Sequence, residues 1–137
     1  MNKKIYISLF LAFIIILGCK KDTFYFPSVS FRLELGLDSA LGLLGPGGVF
    51  FKPGYGVQGL IIYKDYNDSY YVYDRACTYE KDFSCRVDTS SWEGVLKCPC
   101  CNSDYFLENS AEPNGPASYP LVRYSAFIDG RLLKIAN

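Results

Sequence analysis

The residues best suited to chemistry are six cysteines, in a 137-residue chain with no histidine. Three of them fall within "KCPCCNSDYF", Lys97 to Phe106, and Cys77 and Cys85 lie upstream. Thiol groups of this kind bind soft metal ions, form disulfides or pack as small apolar side chains. Cys98 and Cys101 make a C-x-x-C pair, a spacing that lets two thiolates turn toward one ion. Cys77 ends a strand-like run and Cys85 lies in the loop after it, so two loops carry candidate ligands. A tetrahedral site needs four ligands, and Cys77, Cys85, Cys98 and Cys101 can supply them. Zinc and an all-thiolate iron–sulfur centre both suit such a set, and the ligands alone do not separate them. The alternative is no metal and some pattern of disulfides. Leaving Cys19 aside, the cysteine count is odd, so at least one thiol stays unpaired without a metal.

The missing histidine also removes whole reaction classes. Ser90, Ser91 and Ser103 have no imidazole to activate them, and no cysteine has a histidine base. "GPGG" at Gly45 to Gly48 lacks the Lys-Ser/Thr of a phosphate cradle and reads as a turn. Asp74 with Glu80, and Asp82 with Asp88, read as solvated loop carboxylates rather than a catalytic pair. Fourteen basic residues balance fourteen acidic ones with no basic stripe, which argues against nucleic acid as a partner. The chain is not expected to be an enzyme by itself, and an electron-transfer role remains open.

The N-terminus has a separate logic. "MNKK" is a basic start, Ile5 to Leu17 is an apolar run, and "GC" follows. The run is short of the roughly 20 residues that a spanning helix needs, and it suits a secretory signal. "ILGC" resembles the bacterial lipobox, in which cleavage precedes a cysteine that carries lipid. Residues 1–18 are therefore expected to be a signal peptide, Cys19 the lipidation site, and 19–27 a lipidated tether. That places residues 28–137 in the cell envelope on a bacterial membrane, where disulfides are permitted.

Along 28–137 the pattern is one of short strands. "VSFRLEL" alternates apolar and polar residues. Val49 to Phe51 is a short strand among glycines, and Leu60 to Tyr63 and Tyr70 to Asp74 flank a polar turn as a hairpin. "GVLKCPC" and "DYFLENS" read as strands around the cysteine loop, and "AEPNGPASYP" as a proline-rich loop. Asp129-Gly130 marks a closing hairpin. Trp92 is expected to pack between the cysteine loops, or to meet a partner if exposed. The expected fold is all-β: a small antiparallel sandwich or barrel with a cysteine-loop subdomain.

Taken in order, these motifs resemble a Rieske domain over roughly residues 55 to 137. In that family a hairpin strand leads into C-x-H, and a second loop carries C-P-x-H-G-S and an aromatic. A G-P-A loop, a P-L-x-x-Y strand and a final hairpin follow. Here stand Cys77, then Cys98-Pro99, Ser103 and Phe106, Gly115-Pro116-Ala117, Pro120-Leu121 and Tyr124, and the Asp129-Gly130 turn. The resemblance implies a [2Fe–2S] cluster, held in that family by two cysteines and two histidines. Tyr79 stands at the first histidine position and Cys101 at the second, and Asn102 replaces a glycine. Many members also join the two loops by a disulfide, and Cys85 and Cys100 fall near those positions. Tyr79 and Ser103 are expected beside the site, packing on it or hydrogen-bonding a sulfur. Three outcomes stay open: an all-thiolate site of Cys77, Cys85, Cys98 and Cys101 holding a low-potential [2Fe–2S] cluster or structural zinc; a Cys85–Cys100 disulfide that leaves three thiols, with Tyr79 a poor fourth ligand; or a cluster-free fold with disulfides and no metal. No twin-arginine pair precedes the apolar run, which argues against a cluster loaded before export. A membrane, through the lipid, and an unidentified protein are the implied partners.

Overall fold

The computed structural model describes residues 23–39, 41–79 and 81–137; the expected signal peptide, residues 1–18, and the expected lipidation site, Cys19, lie outside them. Ten strands form two antiparallel sheets, with no α-helix among the described residues. They are β1 (Arg32–Gly36), β2 (Val49–Lys52), β3 (Leu60–Lys64), β4 (Tyr70–Asp74), β5 (Asp88–Thr89), β6 (Val95–Lys97), β7 (Asp104–Phe106), β8 (Glu112–Asn114), β9 (Arg123–Asp129) and β10 (Leu132–Ala136). The larger sheet has the order β1-β10-β9-β4-β3-β2, and the smaller β5-β6-β7-β8.

The uninterrupted apolar run of β3 is explained by burial on both faces. Leu60 and Ile62 point into one core with Leu33, Val72, Tyr124, Leu133 and Ile135. Ile61 and Tyr63 point the other way, into a second core with Tyr73, Leu96, Tyr105 and the cysteines. Period two thus sends alternate residues of one strand to opposite cores. The second core is where the small sheet packs on the large one, and the cysteine loops sit at its edge.

Several expectations shift in detail. The stretch expected as a proline-rich loop contributes β8, which pairs Asn114 with Asp104 and Glu112 with Phe106. Pro113 is tolerated there because β8 lies at the edge of its sheet. The closing turn falls on Gly130 and Arg131, since Asp129 still pairs with Leu132. Trp92 is 77% exposed and does not pack between the cysteine loops. It borders an open groove with Val95, Lys97, Asp104 and Phe106 on the outer face of the small sheet.

Asp74 is the clearest departure. It is fully buried, not solvated. Its Oδ2 accepts from Val57 N–H (2.6 Å) and Tyr124 Oη–H (2.7 Å). Its Oδ1 accepts from Gln58 N–H (3.1 Å) and Ala76 N–H (2.8 Å). Gly56 makes this approach possible: its φ is +65°, and a Cβ there would lie 2.3 Å from Asp74 Oδ2. Each buried donor left without a partner costs about 1–3 kcal/mol. Asp74→Ala should therefore lower the unfolding free energy by about 3–5 kcal/mol, and Tyr124→Phe by about 1–2 kcal/mol. Urea denaturation at neutral pH measures both, and equal losses would contradict the shared-acceptor role of Asp74.

Candidate metal centre

Two loops converge at one end of the small sheet. The first leaves β4 after Asp74. It is held by a bridge between Ala76 and Arg86, with Cys77 N–H donating to Cys85 O (2.8 Å) and Val87 N–H to Arg75 O (2.8 Å). Positions 77 and 85 are thereby opposed across an antiparallel pair, and such partners share a face. The second loop joins β6 to β7. Cys98 N–H donates to Ser103 O (2.8 Å), and Asn102 N–H to Cys98 O (2.9 Å). Asn102 has φ +60°. Asparagine is one of the few side chains that enter this left-handed region readily, which explains its presence where the Rieske pattern has glycine.

The loops are joined covalently by a Cys85–Cys100 disulfide, with Cα atoms 6.4 Å apart. A cross-link closing a loop of this length, 15 residues in separation, is worth roughly 3 kcal/mol in chain entropy. The two roles expected for Cys85 exclude one another while that bond stands. With that bond in place, the free thiols of the expected four-cysteine set are Cys77, Cys98 and Cys101.

These three are buried, and their Sγ atoms all lie within 4.8 Å of one another. Cys77 Sγ is 3.6 Å from Cys101 Sγ, and Cys98 Sγ is 3.6 Å from Cys85 Sγ. The polar groups around them are specific. The Tyr105 hydroxyl lies 3.5 Å from Cys77 Sγ and is also bonded by Thr78, through Oγ1 (3.0 Å) and N–H (3.3 Å). Ser103 Oγ lies 3.1 Å from Cys101 Sγ and accepts from Ala117 N–H (2.9 Å). The Gly115-Pro116-Ala117 loop can lie this close because Gly115, at φ +130°, has no Cβ to meet Ser103 Cα at 3.0 Å.

The thiols differ in acidity. Burial, then the Cys98 contact, pushes Cys77 up from 9.0 to about 12, against the pull of the Tyr105 hydroxyl and the Tyr79 backbone N–H. For Cys101, burial is the largest single influence and acts upward. Hydrogen bonds from the Ser103 hydroxyl and N–H, then from Cys98 and Cys77, outweigh it and bring the thiol below its ordinary value. Cys101 is thus the favoured thiolate and Cys77 the favoured donor to it.

Among the sequence-derived candidates, Ser103 lies on a sulfur. Tyr79 contributes its backbone, while its ring is 50% exposed and borders a groove with Lys81, Phe83 and Tyr119. Tyr105 was missed, with Phe106 taken as the aromatic. In β7 Tyr105 pairs with Leu96 and both face inward, whereas Phe106 pairs with Val95 on the outer face. Alternation counted from the apolar Leu96 carries that signal. A Rieske cluster takes two imidazoles and two thiolates. This chain has no imidazole, and the ring at one histidine position is half exposed. The residues present do not fit that group.

The fold itself is that of Rieske-type ferredoxins. The chain is similar to a chain in the complex of reduced oxygenase and oxidized ferredoxin in carbazole 1,9a-dioxygenase (TM-score 0.52, 18% identity, covering 77% of this chain and 92% of that one). It is also similar to the ferredoxin of carbazole 1,9a-dioxygenase from Nocardioides aromaticivorans (TM-score 0.51, 19% identity, covering 80% and 98%). At these identities the likeness is one of fold. No family model matches the chain, and no curated protein does.

The raised Cys77 value has a sign that can be checked. Below pH 9.0 the thiol is neutral in both folded and unfolded chains, and its stabilising effect is complete. Between pH 9.0 and about 12 the unfolded chain ionises while the folded one keeps its proton, so stability falls. Tyr63, pushed from 10.0 to about 12 chiefly by burial, adds to the same loss. Thermal denaturation of the metal-free protein should show the midpoint falling across this window. In Cys77→Ser the fall should be shallower, and an identical pH profile would contradict the assignment.

Proposed function

We propose that this chain is a lipid-anchored cell-envelope protein that holds one soft metal ion through Cys77, Cys98 and Cys101. The ion takes the place that the histidine-ligated cluster has in the Rieske family. The observation that carries this reading is three buried thiols, outside any disulfide, with sulfurs mutually within 4.8 Å. Thiolate-only donors select zinc or copper(I) among the common ions. Placing a cation there offsets the desolvation that keeps Cys77 protonated. Three protein ligands leave one position open, as zinc sites that exchange a ligand do. An electron-carrying role, with a protein partner, rests on likeness to the ferredoxin fold and requires a redox-active ion rather than zinc.

A second reading is a metal-free interaction module that keeps the fold. The Cys85–Cys100 disulfide favours it, because it removes the fourth thiol.

Two experiments separate these readings. The full chain, purified in detergent without added metal, should carry about one zinc or copper per chain by elemental analysis. Thiol counting should find three cysteines protected until a chelator is added, and Cys77→Ser should lose the metal. A metal-free protein with three freely titrating thiols would establish the module reading. Separately, fatty-acid labelling in cells should mark the wild type and leave Cys19→Ser unlabelled; labelling of both would remove the lipoprotein assignment.

A further inference from the structure

Cys98 belongs to two clusters at once. Its sulfur lies within 4.8 Å of Cys77 and Cys101, and equally within 4.8 Å of Cys85 and Cys100. Cys85 is buried, and its backbone is held opposite Cys77 by the Cys77 N–H to Cys85 O bond and the Ala76–Arg86 bridge. These contacts are backbone hydrogen bonds, distinct from the disulfide. The second loop likewise keeps its own bonds between Cys98 and Ser103 and between Asn102 and Cys98. Cys100, by contrast, is exposed. The disulfide therefore joins an exposed residue, Cys100, to a buried one, Cys85, whose sulfur lies 3.6 Å from Cys98 Sγ. In a thiol–disulfide exchange the accessible sulfur is the one attacked.

We infer that the Cys85–Cys100 disulfide is a redox gate on the metal site. Its reduction frees Cys85 to become the fourth thiolate, converting an open three-thiol site into a closed tetrahedral one. This rests on the reading that Cys77, Cys98 and Cys101 bind metal. The reductant is an external dithiol. One of its thiolates attacks Cys100 Sγ, the Cys85–Cys100 bond breaks, and Cys85 leaves as a thiolate. The second thiol of the reductant then attacks its own sulfur in the mixed disulfide and releases Cys100. The dithiol loses two electrons and becomes a disulfide; the protein gains them as two cysteines. Zinc then takes Cys85, Cys77, Cys98 and Cys101 as thiolates, and their remaining protons go to solvent. Tetrahedral four-thiolate coordination leaves no open position. Cys100 stays outside; an external disulfide reverses the exchange, taking two electrons to become a dithiol as the Cys85–Cys100 bond re-forms and Cys85 leaves the ion.

The test is zinc titration, against a chromophoric chelator, of the full chain in detergent and kept anaerobic. Four samples are compared: disulfide-intact wild type, dithiol-reduced wild type, Cys100→Ser and Cys85→Ser. Both variants lack the disulfide, but only Cys100→Ser leaves a thiol at Cys85. Reduced wild type and Cys100→Ser should bind zinc about a hundredfold tighter than the disulfide-intact protein, with four thiols protected. Cys85→Ser should stay at the disulfide-intact affinity with three. If the two variants bind alike and reduction changes nothing, the gate is wrong while the three-thiol site stands. If no sample binds zinc, the three-thiol reading fails and the gate with it. Comparing oxidised and reduced wild type needs no variant to fold, so a misfolded variant does not rescue the idea.

Discussion

The arrangement depends first on a carboxyl group placed where a strand has to stop. Asp74 closes β4, and its two oxygens gather donors from the Val57–Gln58 segment, from the next turn of its own chain at Ala76, and from Tyr124 on β9. Buried polar groups of this kind tolerate few geometries, because each unmade bond costs more than a made one returns. Satisfying all four turns the backbone out of the large sheet at a fixed angle. Cys77, three residues on, is delivered into the second core rather than into solvent. The position of the first cysteine loop is thus set by an acid that takes no part in the chemistry.

The second consequence is electrostatic. Imidazole can ligate as a neutral group, whereas thiols ligate as anions. Replacing it by a thiol at position 101, beside two other thiols, concentrates potential negative charge in a pocket that water barely enters. The protein answers with a graded arrangement: one sulfur that receives the Ser103 hydroxyl and N–H, and one that burial keeps protonated. A cation would offset that charge, which is the physical basis of the proposed metal site.

Much of the architecture was legible. The all-β class, the hairpins, and the placing of cysteines on two loops follow from period-two patterning and turn residues, which act locally. What escaped was long-range. β5 is two residues long and exists because it pairs with β6; β8 contains a proline and exists because β7 offers it an edge. Asp74 looks like any polar residue at a strand end until the donors 16, 17 and 50 residues away are known. The site shows the same split. Sequence supplied every cysteine, but which sulfur meets which is decided by the register of Cys77 against Cys85. That register is a property of the folded first loop. Tyr105 lost out to Phe106 because the choice between adjacent aromatics depends on which face of β7 is inside.

The stretch expected as a tether is, at its far end, part of the domain. Phe24 stacks on Tyr119 with ring centroids 4.4 Å apart, and Phe26 meets Phe83 edge-on at 4.8 Å. Both partners flank the cysteine loops: Thr78 Oγ1 donates to Tyr119 O, and Phe83 lies between Cys77 and Cys85 in the chain. In a chain acylated at Cys19, the residues up to Phe24 extend at most about 18 Å. With lipid at Cys19, as proposed, such an anchor would act as a short leash attached beside the cysteine loops. It would turn the sulfur-bearing tip toward the lipid and the opposite pole outward. A partner of that tip would then approach along the membrane plane.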